Sequence, residues 1–310
     1  MATSRPPSGG LRARLSRLGD KAETPIQAVI YGLGWSAIVC VIAIFIFLFL
    51  GAGPMLFRLD WVEFFTSTHW HPKDDGAAPP TYGVLAMILG NLAVATLAMV
   101  LAIPAGLAAA VYISEFAGPQ TREWLKVAIE TLAAVPSIVW GFIGVTIISP
   151  LLIEYAGASM GQNLLNGAVI LGLMSVPLVV SLAEDALRAV PDSFREAALA
   201  LGANRWEIVY RVLFPAAKNG LLAACMLGVG RAIGETMAVL LATGNKNQIP
   251  TSLLDPISTL TATIASEMGD AVQGQPHAQV LFIIGILLLV ITCSINLIAS
   301  FVIRGSKDSR

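Results

Sequence analysis

The sequence predicts an all-α polytopic membrane protein with six transmembrane helices. Of its 310 residues, 56% are hydrophobic and 13% are charged, whereas a soluble domain usually carries about 25% charged residues. Five long stretches contain no Asp, Glu, Lys or Arg, and a sixth is interrupted only by Arg231 and Glu235. This composition excludes an ordinary soluble enzyme, a disordered chain and a disulfide scaffold, and the net charge of -1 argues against nucleic-acid binding.

Each transmembrane helix needs about 20 mostly apolar residues to cross the hydrocarbon core. The first apolar run is long enough to span the bilayer, and the preceding tail is too polar for a signal peptide. We therefore interpret 27–51 as an uncleaved first transmembrane helix behind a basic tail, 1–26. The predicted helix cores are 28–50, 86–112, 130–153, 166–188, 219–243 and 279–303.

The distribution of Lys and Arg predicts the orientation. Fifteen of the 19 such residues lie in the N-terminal tail, the second and fourth connections and the C-terminus, and three lie in the alternate connections. Because cytoplasmic segments are enriched in Lys and Arg, both termini are expected to be cytoplasmic. The predicted order is a cytoplasmic tail 1–26, a helix 27–51, a periplasmic connection 52–80, a transmembrane core 81–305 and a cytoplasmic tail 306–310.

Neither the histidines nor the cysteines predict a metal site or a disulfide. His69 and His71 precede Asp74 and Asp75 in the first outer connection, but a His-x-His pair lacks helical i, i+4 spacing, and interfacial aromatics explain the segment better. Cysteines occur in three different spans and are interpreted as small buried apolar residues: Cys40, Cys225 and Cys293. We expect no metal and no cofactor.

Arg231 and Glu235 are charged residues inside a predicted span, where a central charge costs about 2.5–3.5 kcal/mol. At i, i+4 spacing they share one helical face. They either form a salt bridge that fastens two helices, or line a translocation path in which Arg231 attracts an anion. Pro136 and Ser137 lie in the third predicted span, where the serine hydroxyl either satisfies backbone freed by the proline or contacts a passing anion.

The fourth connection contains an amphipathic loop, 190–216, that is long for a simple joint between two helices. Ser193–Glu196 predicts a capping box at the start of a short helix, and Gly202 lies where that helix needs a C-terminal cap. Asn204–Glu207 predicts the start of a second short helix, which Pro215 closes before the fifth span. The loop contains no nucleophile, base or metal cluster, so it favours docking over catalysis.

This loop resembles that of the permease subunits of bacterial ABC importers, whose EAA loop reads Glu-Ala-Ala, three residues, Gly, nine residues, Ile-x-Leu-Pro. The matching residues are Glu196, Ala197, Ala198, Gly202 and, nine residues later, Val212-Leu213-Phe214-Pro215, with Val in place of Ile and Phe in place of Leu. Three further segments, 129–141, 230–239 and 259–267, resemble the C-type permeases of phosphate importers (PstC).

The resemblance implies a type I ABC importer permease fold in a multi-pass protein of the bacterial inner membrane. It also implies a homologous A-type permease, two ATPase subunits, a periplasmic phosphate-binding protein and the lipid bilayer as partners. The implied coupling residues are Glu196, Ala197, Ala198, Gly202 and Pro215, and the implied path residues are Arg231, Glu235, Ser137 and Pro136.

The chain is expected to transport rather than catalyse. It lacks a GxxxxGK[ST] loop, so ATP hydrolysis is expected on a separate subunit. A permease for another oxyanion, such as sulfate, molybdate or tungstate, remains an alternative because discrimination is expected to reside in the binding protein. A secondary carrier with Arg231 and Glu235 as a relay is the alternative from another class, and the EAA spacing argues against it.

Overall fold

The structure, a computed structural model, describes residues 9–72 and 79–305. The first eight residues of the predicted tail 1–26, the Asp74–Asp75 pair and the predicted tail 306–310 lie outside the described residues. The chain divides into two compact units, Met1–Gly51 and Ala52–Arg310, and each is described by itself.

The first unit is formed by helix α1 (Gly9–Ala52), which runs without a break from the predicted tail into the first predicted span. Its part from Gln27 to Ala52 is long and apolar enough to cross a membrane. Large apolar side chains on it, such as Tyr31 and Trp35, are exposed within the unit. A helix that is apolar all round suits surroundings of lipid or a partner subunit.

The second unit begins with two short helices and a small hairpin, followed by the long helices. Its elements are α2 (Met55–Arg58), α3 (Trp61–Thr66), β1 (Trp70–His71), β2 (Thr81–Tyr82), α4 (Leu85–Val111), α5 (Pro119–Ala134), α6 (Ser137–Ile143), α7 (Ser149–Ala156), α8 (Leu164–Arg188), α9 (Asp192–Ala200), α10 (Arg205–Glu207), α11 (Phe214–Ile233), α12 (Met237–Ala242), α13 (Leu260–Glu267) and α14 (Pro276–Gly305). Three π-helical segments, Tyr112–Phe116, Gly144–Ile148 and Ile208–Leu213, continue α4, α6 and α10.

Six helical stretches in the described residues are long and apolar enough to span a membrane, which confirms the predicted number. Most of their bounds follow the apolar stretches of the sequence. The six are Gln27–Ala52, Leu85–Phe116, Ser137–Ala156, Leu164–Arg188, Arg205–Ile233 and Pro276–Ile298.

Two predicted spans have wrong bounds. The third begins at Ser137 rather than at 130, because Val135 and Pro136 are extended and end the preceding helix; a residue before proline disfavours the helical region. Residues 119–134 therefore form the separate helix α5. The fifth span ends at Ile233 rather than at 243, and the chain resumes helical structure only in α12.

Helices α4 and α8 form the centre of the second unit, and small residues let their backbones approach closely. A Cβ built at Gly106 of α4 would lie 2.7 Å from Val179 Cγ1 of α8, and one at Gly172 of α8 would lie 3.1 Å from the Ala98 carbonyl oxygen of α4. Ala98 and Val179 are fully buried. The pair therefore packs as a close, rigid core.

Helix α12 packs beside α6. A Cβ at Gly141 would lie 3.1 Å from Ala238 Cα, and one at Gly144 would lie 3.3 Å from Ala242 Cβ. The order of these contacts shows that α6 and α12 run parallel. Gly141 is the fifth residue of α6 and Ala238 is the second residue of α12, so α6 begins nearly one turn before α12.

The described part of the connection 52–80 is packed onto the helices that follow it. Trp70 and Tyr82 face each other across the hairpin, and the Trp70 indole N–H donates to Glu267 Oε1 at 2.9 Å. The second oxygen of Glu267 lies 2.8 Å from His277 Nε2. Phe64, predicted as one of several interfacial aromatics, is instead almost fully buried in a cluster that includes Leu281.

The structure also corrects the predicted environment of the cysteines. Cys40 and Cys293 are exposed, and Cys225 is half-buried. Within the part of the chain that the structure describes, no group of three or more His, Cys, Asp or Glu residues is arranged to hold a metal ion.

Candidate translocation path and coupling loop

The first helix of the loop 190–216, α9, ends in a glycine turn at the predicted position. Gly202 has φ +84°, in the left-handed region that favours glycine. The Gly202 N–H donates to the Leu199 carbonyl at 2.9 Å, and the Ala203 N–H donates to the Ala198 carbonyl at 3.0 Å. These two bonds form a Schellman motif, which satisfies carbonyls at the end of the helix. The prediction of a C-terminal cap at Gly202 is confirmed.

The predicted cap of the second short helix at Asn204 is confirmed and is a full capping box. Asn204 Oδ1 accepts from the Glu207 N–H at 3.0 Å, and Glu207 Oε2 accepts from the Asn204 N–H at 2.9 Å. The predicted box at Ser193 does not form, because the N-cap of α9 is Pro191, two residues before Ser193, and it has no side-chain cap. The proline pre-sets the backbone at this position.

The sequence predicts that Pro215 ends the second short helix, and the structure shows that this prediction is wrong. Pro215 lies in the first turn of α11, and the helical path runs from Arg205 through the π segment to Ile233. The Phe214 N–H bonds to the Val209 carbonyl five residues back, and such a widened turn lets a helix pass a proline that has no N–H to give. The second half of the loop is thus the first part of the fifth span, Arg205–Ile233.

The residues of the EAA motif divide between the surface and the core. Glu196 and Ala197 are exposed, whereas Ala198 is buried in a cluster with Leu187, Ile208 and other residues at this end of the bundle. Large apolar side chains stand out around the motif. Leu201 is 89% exposed, Trp206 63% and Leu199 57%.

Arg231 and Glu235 do not share one helical face. Helix α11 ends at Ile233, Gly234 follows as its C-cap, and Glu235 lies beyond the helix. The buried Asn91 amide donates to the Ile233 carbonyl at 3.4 Å, which satisfies one carbonyl freed by the break. The predicted i, i+4 arrangement is wrong, and the salt bridge that depended on it is not formed.

The two charged side chains have different surroundings. Glu235 Oε1 accepts from the Ala238 N–H at 3.4 Å at the start of α12, and the Glu235 carbonyl accepts from the Thr261 hydroxyl at 2.7 Å. The Arg231 side chain is exposed and makes no hydrogen bond or ion pair with the residues that the structure describes. An exposed, unpaired guanidinium inside a span needs water, a ligand or another subunit as its surroundings.

Pro136 is exposed and Ser137 is half-buried at the start of α6. Ser137 is the first residue of α6, and Glu235 lies two residues before the start of α12. Because the two helices run parallel, Ser137 and Glu235 lie toward the same ends of these helices. The coupling residues Glu196 to Pro215 belong to a different part of the unit, at the other end of α11.

The loop after α12 returns to that helix. The Ile257 N–H donates to the Thr243 carbonyl at 2.9 Å. In the loop, hydrogen bonds from the Thr251 hydroxyl, and from the backbone N–H groups of Thr251 and Ser252, hold the pKa of Asp255 below its ordinary value. Asp255 therefore stays ionised to lower pH than a free aspartate and keeps the turn closed.

Sequence reasoning missed the ionic contacts beneath the coupling loop. Glu184, almost fully buried near the end of α8, lies 3.1 Å from Lys126 Nζ of α5 and 3.2 Å from Arg188 Nε. The second contact is an ion pair without hydrogen-bond geometry. The carboxylate that comes directly after the charge-free stretch 155–183 was a signal that could have been followed, but its partner Lys126 is 58 residues away along the chain.

The comparisons with known proteins agree with this architecture. Residues 102–307 match the family described as binding-protein-dependent transport system inner membrane component. The chain is 38% identical over 231 residues to the probable ABC transporter permease protein YqgH of Bacillus subtilis, covering 74% of each chain. It is 33% identical to the phosphate transport system permease protein PstC of Mesorhizobium japonicum, covering 82% of this chain and 84% of that one.

A solved structure shows the same fold at low sequence identity. The crystal structure of a bacterial alginate ABC transporter, in complex with its alginate pentasaccharide-bound periplasmic protein, matches with a TM-score of 0.61 and 14% identity. The match covers 90% of this chain and 94% of that one. The chain has the type I ABC importer permease fold and belongs to the family of binding-protein-dependent transport system inner membrane components.

Proposed function

We propose that this chain is the C-type permease subunit of an ATP-driven phosphate importer of the bacterial inner membrane. The single observation that carries the proposal is the exposed, unpaired Arg231 inside a span, at the point where α11 breaks. The 33% identity to a phosphate transport system permease over most of both chains supports phosphate as the anion. The chain is the transporting subunit, and ATP is hydrolysed on separate subunits.

The charges at the break suit a transient anion site. Phosphate carries between one and two negative charges near neutral pH, and the guanidinium fork of Arg231 matches the geometry of its oxygens. Glu235, four residues further on, lowers the net attraction, so that the ion can leave. Ser137 supplies a hydroxyl at the start of α6, which runs parallel to the helix that follows Glu235. The exposed face of Arg231 is the one that a homologous A-type permease covers, and the path runs between the two subunits.

The coupling loop supplies the contact with an ATPase. Exposed Glu196 and Ala197 lie beside the large apolar side chains of Leu199, Leu201 and Trp206. Exposed apolar groups of this size favour burial in a partner groove. Two ATPase subunits, one for each permease, and a periplasmic phosphate-binding protein complete the importer.

The function is tested by uptake of labelled phosphate in cells that lack their own high-affinity system. The chain is expressed with its cognate partners, with excess sulfate or molybdate as competitor and an ATPase-inactive complex as control. We expect uptake that needs this chain and active ATPase and resists both competitors. Competition by sulfate or molybdate would move the function to another oxyanion. Uptake without active ATPase would indicate a secondary carrier.

The proposed topology, with cytoplasmic termini, gives a second prediction. In a chain whose native cysteines Cys40, Cys225 and Cys293 are replaced by alanine, a cysteine at Trp206 should react with thiol reagents only from the cytoplasm. A cysteine at Val272, which is exposed in the loop before α14, should react only from outside. The reverse labelling pattern would contradict the orientation predicted from Lys and Arg.

A further inference from the structure

The Arg195 side chain of α9 joins three parts of the fold. Its Nη2 lies 3.0 Å from Glu115 Oε1, at the inner end of the second span, and also donates to the Leu187 carbonyl in the last turn of α8 at 3.0 Å. Its Nη1 donates to the Val190 carbonyl at 2.8 Å and to Asp192 Oδ1 at 3.1 Å. The Arg195 side chain is only 18% exposed. One guanidinium thus contacts the second span, the end of the fourth span and the start of α9.

These contacts restrain a short pivot. Three residues, Ala189 to Pro191, connect the end of α8 to the start of α9. Pro191 is extended, with ψ 140°, so helical hydrogen bonding is interrupted there and the turn alone does not fix the angle between the two helices. The bonds from Arg195 to Leu187 and Val190 bridge this turn. The bond to Glu115 then fixes α9 to a second span.

The Glu115 carboxylate, which binds Arg195, is itself held in place by neighbouring side chains. The Ser114 hydroxyl donates to Glu115 Oε1 at 2.7 Å. Arg122 of α5 donates from Nε to the Ile113 carbonyl at 2.8 Å and from Nη2 to the Ser114 carbonyl. The Glu115 carboxylate is therefore a fixed anchor rather than a mobile surface group.

The other half of the coupling loop uses a different connection. Beyond Gly202, the segment from Arg205 is helical without a break into the fifth span, which carries Arg231. A movement of that half of the loop is transmitted to the fifth span through the continuous helical backbone. A movement of α9 is transmitted to the second and fourth spans only through the short turn and through side-chain contacts. The hydrogen bonds and the ion pair of Arg195 are the polar part of these contacts.

We propose that Arg195 is a positioning residue, which makes α9 move as one body with the inner ends of the second and fourth spans when the ATPase moves the coupling loop. The proposal rests on the proposed function, because it assumes that an ATPase binds the coupling loop and drives transport. Arginine is required at this position because its planar guanidinium directs several N–H donors at once, whereas lysine presents one compact ammonium. We call Arg195 and Glu115 together the coupling clamp.

The first test measures rigidity and does not depend on the transported anion. Spin labels are placed at Ser193, exposed on α9, and at Tyr112, exposed at the end of the second span, in the full complex with native cysteines replaced. We expect one label-to-label distance in the nucleotide-free and ATP-bound states. In Arg195→Lys the distance distribution should broaden. A wild-type distance that changes between the two states would overturn the proposal.

The second test measures the phosphate transported per ATP hydrolysed. In Arg195→Lys and in Glu115→Gln we expect this ratio to fall about tenfold or more. Lysine keeps the charge but cannot direct several N–H donors at once, and glutamine removes the negative charge and leaves the largely buried Arg195 guanidinium uncompensated. The amount of assembled complex and the ATP hydrolysis rate should stay close to wild type. Arg58→Lys is the matched control, since Arg58 is an exposed arginine of α2, and it should leave the ratio unchanged.

A rescue separates a mechanical role from a folding role. Cysteines at both clamp positions should show the same low ratio. A short bifunctional thiol reagent should restore the ratio, and reduction of the cross-link should remove it again. Unchanged ratios in Arg195→Lys and Glu115→Gln, or no recovery on cross-linking, would overturn the proposal. Failure of the wild-type complex to transport phosphate would instead contradict the proposed function, and the spin-label distances would still decide the role of the clamp.

Discussion

Gly202→Val is expected to lower phosphate uptake about tenfold or more while the chain still inserts and assembles. The expected cause is the backbone conformation, since Gly202 has φ +84° and β-branched residues strongly disfavour that region. Holding a non-glycine residue there costs about 1–3 kcal/mol. The turn relieves this strain by changing the angle between α9 and α10, so that the two halves of the coupling loop no longer fit the ATPase groove together.

Steric crowding does not explain this expected effect. A Cβ built at Gly202 has no atom of the described residues within 4 Å. A graded series therefore tests the cause: Gly202→Asn should be the mildest change, because asparagine adopts the left-handed region more readily than other residues. Gly202→Ala should be intermediate and Gly202→Val the most severe. The same order should appear in uptake per ATP hydrolysed.

Gly157 offers the matched control for this series. It closes α7 with φ +65°, also has open space around its Cβ position, and lies outside the coupling loop. Gly157→Val introduces similar strain and should leave uptake per ATP hydrolysed near the wild-type value. Normal coupling in Gly202→Val, or equal loss in both variants, would contradict a specific role for the turn at Gly202.

The parts of the fold that could be predicted are those set by local sequence. The number of spans follows from the length of the apolar stretches. The turn at Gly202 and the capping box of Asn204 with Glu207 follow from residue types within a few positions of each other. Local hydrogen bonds of this kind depend only on residues within a short segment, so they can be predicted without knowing which helices are neighbours.

The parts that could not be predicted depend on contacts between distant segments. No proline marks the break at Gly234, and the spacing of Arg231 and Glu235 is itself typical of a continuous helix. The break is accommodated by partners from elsewhere in the chain, the Asn91 amide and the Thr261 hydroxyl. The same holds for Arg195, whose carboxylate partner Glu115 is 80 residues away. A charged residue in an amphipathic loop gives no sign of which distant carbonyls it will bind.

Arg231→Gln is expected to lower uptake about tenfold to a hundredfold while the importer remains assembled. Hydrogen bonds to charged groups contribute about 1.5–3 kcal/mol, which corresponds to that range. Glutamine keeps a polar side chain, but this side chain is shorter than that of arginine and has no positive charge to compensate an anion inside the membrane. Uptake in Arg231→Lys should lie between that of wild type and that of Arg231→Gln, because lysine keeps the charge but loses the planar fork of donors.

The amount of assembled complex distinguishes the two interpretations of Arg231, which are a structural contact and a residue of the translocation path. Within the described residues its side chain makes no ion pair or hydrogen bond, so no internal contact of this chain is lost on substitution, and the yield of complex on native gels should match wild type. Uptake and ATP hydrolysis stimulated by the binding protein are then measured on equal amounts of complex, with Arg58→Gln as a control outside the spans. Loss of the complex in Arg231→Gln would mean that the guanidinium binds a partner subunit instead of the anion. An intact complex that hydrolyses ATP with this loss of phosphate transport would support the place of Arg231 on the path.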